Sequence, residues 1–143
     1  MHHIAIMKKS WGFIEKILTG EKVIESRWYV SKVAPWGKVK KGDTVFFKNS
    51  GELITVKAEA EKVVQFEDMN PGKVNEILNK FGRDIGISSE KVEDFFEIVK
   101  NKKYCILIFL KNPQKIEPFQ INKKGFGMMS AWMVAEDVVE IKM

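Results

Sequence analysis

Ile54-Thr55-Val56-Lys57-Ala58-Glu59-Ala60-Glu61-Lys62-Val63-Val64 carries the pattern on which the fold turns. Apolar side chains occupy the even positions Ile54, Val56, Ala58 and Ala60, and charges occupy Lys57, Glu59 and Glu61. That is the period of a strand with one wet face, and its inward side chains are small. At Val63 and Val64 the phase slips. An extra residue in a strand produces such a slip and bends the sheet as a small barrel requires, although a strand end produces it as well. A barrel is the reading adopted.

Working outward, Lys41-Gly42-Asp43 turns the chain into a strand at Thr44-Val45-Phe46-Phe47, and Asn49-Ser50-Gly51 closes a hairpin with the strand from Ile54. Lys22 to Val30 mixes β-branched, aromatic and charged residues, which predicts a strand with one wet face, broken at Ala34-Pro35-Trp36-Gly37. Ahead of it, Ser10 is placed to cap a helix over Ser10 to Thr19, with Trp11, Ile14, Ile17 and Leu18 on one face and Gly20 ending it. His2 and His3 read as strand or terminal residues beside a short apolar segment, Ile4 to Met7.

Downstream, Asn70 caps and Pro71 starts a helix with Val74, Ile77, Leu78 and Phe81 on one stripe. Ser88 or Ser89 starts another with Val92, Phe95, Phe96 and Val99, so residues 70–101 are expected to be a two-helix insertion. The continuous apolar run Tyr104 to Leu110 predicts a central strand buried on both faces, with Cys105 as inert packing. Val138 to Met143 alternates as a last strand. The class is α+β: a small β-barrel of five or six strands with flanking helices, one domain over residues 1–143.

With 45% apolar content in 143 residues the chain can bury one core, and a formal charge of +5 favours polyanionic partners. The single cysteine excludes an intramolecular disulfide and a cysteine-based zinc site, and fits the cytoplasm. No stretch approaches a membrane span, and the start has no basic flank before a long apolar run. Motifs for nucleotide-triphosphate hydrolysis, zinc proteolysis and dinucleotide redox chemistry are missing, so no cofactor and no metal site is expected.

Chemistry concentrates in Gly20-Glu21-Lys22-Val23-Ile24-Glu25-Ser26-Arg27, a GxKxxExR pattern after the first helix. Glu25 and Arg27 share one strand face, and Lys22 at the strand's start can aim its amine into the same space. A surface ion pair is the plain alternative. Together with Pro35, KKGDTVFF at 40–47, the long strand and Trp132, the order resembles the ASCH domain family of the PUA-like superfamily along essentially the whole chain. The resemblance implies a PUA-like barrel with a cleft where the signature faces RNA or a nucleotide-like ligand. Activities in the family include RNA binding, nuclease action and, in one subgroup, deacetylation of acetylated cytidine. That subgroup carries Thr where this chain has Glu25, so the nucleophilic hydroxyl is missing.

The expected function is binding of RNA or a modified nucleoside in a basic cleft. Lys22 and Arg27 would contact phosphate or a base edge, and Trp28, Trp36 and Trp132 would offer faces for stacking. Lys48, Asn49 and Ser50, beside the signature strand, would cradle an anion. Lys123, Lys124 and Ser130 belong to a loop, residues 123–132, expected to line the cleft mouth. Hydrolysis at the same cleft is the alternative, with Lys22, Glu25 and Arg27 as candidate catalytic residues: Glu25 as general base, the two cations stabilising developing negative charge. A protein-interaction adaptor using the helical insertion is a third reading.

Overall fold

The computed structural model describes residues 1–126 and 130–143. Its strands are β1 (His2–Met7), β2 (Ile24–Tyr29), β3 (Thr44–Asn49), β4 (Ile54–Phe66), β5 (Tyr104–Phe119) and β6 (Trp132–Ala135). The α-helices are α1 (Phe13–Thr19), α2 (Pro71–Ile85) and α3 (Val92–Val99). The strands form one curled sheet in the order β2-β5-β4-β3-β1-β6, with β1 and β3 parallel and the other neighbours antiparallel.

The slip at Val63 and Val64 is a bulge. Ala60 pairs with Leu110 and Lys62 with Phe109, so Glu61 is the extra residue and β4 runs on to Phe66. Its inward side chains, with Ala5, Val45, Phe47, Ile106 and Ile108, fill the concave core. On the outer face of β2, β5 and β4, a second core forms where α2 and α3 cover Ile24, Cys105 and Leu107. Burial pushes the Cys105 thiol far above its ordinary value, as expected of inert packing. Asn70 Oδ1 caps α2 by accepting from Lys73 N at 2.8 Å, and Pro71 occupies the first turn.

Three boundaries differ from expectation. Ser10 lies in a 3₁₀ turn (Lys9–Trp11), and Gly12, at φ +66°, breaks the chain before α1 begins at Phe13. Within α1 Ile14 and Ile17 are buried, whereas Leu18 faces solvent at 39% exposure. Helix α3 starts at Val92 with no side-chain cap from Ser88 or Ser89. The last strand is β6, whereas Val138–Ile141 is a 3₁₀ turn whose amide at Val139 is capped by Asp137. Among the described residues no helix is long and apolar enough to cross a membrane.

Candidate functional site

Strand β2 pairs with β5 on one side only, and the far end of the curled sheet, β1 and β6, comes round to face its free side. Backbone pairing does not close this seam among the described residues. Arg27 spans it instead, donating from Nη2 to Ile6 O and from Nη1 to Ala131 O, each at 3.2 Å. Its Nε and Nη2 also donate to Glu25 Oε2 at 3.2 and 2.8 Å. A planar guanidinium with five diverging donors can make this bridge, and a lysine cannot.

Behind Arg27 the signature is sealed. The side chains of Lys22 and Glu25 are 0% and 2% exposed, with Nζ and Oε1 3.1 Å apart. Lys22 Nζ also donates to Ile24 O and Ile85 O at 2.7 Å each, so the three donors of its ammonium are all taken. The end of α2 wraps this side chain: Gly86 adopts φ +96°, and a Cβ there would lie 3.0 Å from Lys22 Cβ. Burial would raise the Glu25 carboxyl, yet Lys22 and Arg27 together hold it below its ordinary value. Burial pulls the Lys22 ammonium down against the attraction of Glu25.

The three signature residues therefore converge as a chain, Lys22–Glu25–Arg27, only part of which reaches open space. A cleft of about 360 Å³ lies along the seam, and Glu25 and Arg27 line it while Lys22 does not. Ser26, Trp28 and Tyr29 complete the β2 wall, with Phe95, Ile98 and Val99 of α3 opposite. Trp28 Nε1 donates to Ser26 Oγ at 2.9 Å, so its polar edge is satisfied while part of the ring stays open. Lys8 and Lys102 also line the cleft. Tyr29 follows Arg27 by two on the same strand face, a signal the period of β2 already carries, whereas Lys8 and α3 reach the cleft only through tertiary packing.

Trp132 is 4% exposed, so its ring is no open stacking surface. It supports Arg27, whose guanidinium carbon lies 5.1 Å from its ring centroid. Its Nε1 donates to His3 Nδ1 at 3.1 Å, and His3 Nε2 meets Asp43 Oδ2 at 2.8 Å. An indole N–H only donates, which assigns the proton of His3 to Nε2 in this arrangement. Burial lowers the His3 imidazolium against the pull of Asp43. Lys22 is likewise shut away from any phosphate.

The hairpin residues are displaced from β2, because β1 lies between: Lys48 and Asn49 pair with Ile6 and Met7. Lys48 is 6% exposed, and burial with the nearby charge of Lys123 lowers its ammonium. Asn49 Nδ2 donates to Glu52 Oε1 at 3.1 Å, and Ser50 N to Met7 O at 3.0 Å. Lys123 Nζ donates to Ser130 O at 3.2 Å, Ser130 Oγ donates to Trp132 O at 2.8 Å, and Lys124 is exposed. Within the expected 123–132 loop, Gly127, Met128 and Met129 lie outside the described residues. Among the described residues no cluster of His, Cys, Asp or Glu can hold a metal ion.

No family model matches the sequence, and no curated protein does. Among solved structures, the ASCH protein of Zymomonas mobilis is similar over 99% of this chain and 96% of its own, with TM-score 0.68 at 16% identity. A point variant of that protein matches 97% of this chain and 92% of its own, with TM-score 0.66 at 18% identity. The N-terminal domain of Staphylothermus marinus McrB matches 82% of this chain and 75% of its own, with TM-score 0.50 at 15% identity. Curled sheet, helices on its outer face and near-complete overlap lead to one conclusion: the chain has the fold of an ASCH domain, a small PUA-like barrel.

Proposed function

We propose that this domain binds single-stranded RNA or a modified nucleoside in the seam between β2 and the β1–β6 end of the sheet. The observation that carries the reading is a cleft with an open Trp28 face, an apolar α3 wall and lysines 8 and 102, above a carboxylate neutralised from within. Its volume of about 360 Å³ lies within the range of small-ligand sites. A base stacks on Trp28, and Lys8 and Lys102 take the flanking phosphates. Exposed Ser50 and Lys124 extend the phosphate path, whereas Lys48 and Asn49 are buried and Lys123 and Ser130 are engaged within the protein.

Binding is favoured over hydrolysis by the state of Glu25. A general base works best with a pKa near the working pH, and both Glu25 oxygens are held by cations that keep it ionised and weakly basic. The test is titration of labelled single-stranded RNA with wild-type protein and Trp28→Ala between about 50 and about 200 mM salt. Affinity is expected to fall steeply with salt, and Trp28→Ala to weaken binding by about tenfold or more while keeping the salt slope. Affinity unchanged in Trp28→Ala, or binding indifferent to salt, would overturn the reading.

A further inference from the structure

The helical layer has two flanks. Helix α3 meets the seam, whereas α2 packs against β4 and leaves a groove on the other side. Two hollows, of about 250 and 660 Å³, have Lys62 in both of their linings. The first lies between α2 and β4, and the second reaches the bulge at Glu61 and the turn at Lys40 and Lys41. Lysines 40, 41, 62, 73 and 80 line the two hollows beside Glu61 and Glu76, and Lys73 Nζ lies 3.5 Å from Glu76 Oε2.

Aromatic rings alternate with the charges. Lys62 Nζ lies 5.3 Å from the Phe109 ring centroid, Lys80 Nζ 5.2 Å from Phe81 and Lys73 Nζ 5.3 Å from Phe66. All three rings are half-buried, and Phe81 meets Phe109 edge-on at 6.1 Å. Core packing requires the rings' inner edges, but it does not require a lysine over each outer face. An ammonium over a partly exposed ring is held only weakly. It can swing to a phosphate and free the face beneath for a base, the combination that single-strand binders use.

We propose that the α2–β4 flank is a second contact surface for single-stranded RNA, tracking its backbone with Lys62, Lys73 and Lys80 and stacking bases on Phe66, Phe81 and Phe109. The seam reads a nucleoside, and this flank holds the strand without regard to sequence. The choice of RNA rests on the reading of the seam, but the surface is tested separately.

The probe is a labelled oligouridine of about twelve nucleotides, titrated over the same salt range. The variant Lys62→Gln/Lys73→Gln/Lys80→Gln keeps much of each stem and removes three charges. Its control, Lys111→Gln/Lys115→Gln/Lys142→Gln, removes as much charge elsewhere, and circular dichroism checks that both fold. With about 0.7 of salt slope per phosphate contact on a single strand, the flank variant is expected to lower the slope by about 2 and to weaken low-salt binding about tenfold or more. The control should change much less. A flank variant that binds like wild type, or a control that loses as much, overturns the proposal. Failure of the seam looks different: Trp28→Ala then leaves RNA affinity unchanged while the flank variant still weakens it.

Discussion

The β4–β5 ladder and the seam beside β2 solve the same problem, closing a curved sheet, by different means. Along the ladder, backbone pairs run from Phe66 opposite Cys105 to Ile54 opposite Phe119, and three register shifts supply the bend. At the seam one side chain, Arg27, joins Ile6 and Ala131 to β2, and a buried chain of Glu25 and Lys22 holds it in place. Backbone closure leaves no room between strands. Side-chain closure leaves a cleft, and Arg27 and Glu25, which hold the seam shut, line it.

The contrast is broken most severely at Glu25. Removing one partner of a buried ionic set leaves the others uncompensated, so Glu25→Ala is expected to cost about 3–5 kcal/mol of unfolding free energy in denaturant titrations. A loss under about 1 kcal/mol would mean that the seam is held by something other than its charges.

A smaller effect sharpens the same point through pH. The folded-state carboxyl of Glu25 lies below its ordinary value, so its stabilisation is complete above the ordinary carboxylate range and is lost as pH falls through the lower folded value. The stability gap between wild type and Glu25→Gln should therefore stay constant from about pH 7 to about pH 5 and close at more acidic pH. A gap that persists unchanged through acid would contradict an ionised Glu25.

The two regions also differed in legibility. The bulge at Glu61 showed as a slipped alternation, and the start of α2 as Asn70-Pro71, because both are local patterns. Residues 111–119 were missed as strand because two prolines and several charges mask it; past Phe109, β5 loses its β2 partner, and prolines are tolerated on such a free edge. Trp132–Ala135 is a short apolar run with no alternation, whereas Val138–Met143 alternates and yet turns. At the site, spacing foretold that Lys22, Glu25 and Arg27 converge. It did not foretell that Ile85 O seals Lys22, or that His3 turns Trp132 under Arg27, since those contacts join residues 63 and 129 positions apart.

Photo-cross-linking of a 4-thiouridine dinucleotide, too short to span both the seam and the α2–β4 flank, followed by mass-spectrometric peptide mapping, tests the seam most directly. Adducts are expected on the peptide that carries Ser26, Trp28 and Tyr29, and to fall away in Trp28→Ala. Adducts confined to residues remote from the cleft, and unchanged in that variant, would contradict a nucleoside site at the seam.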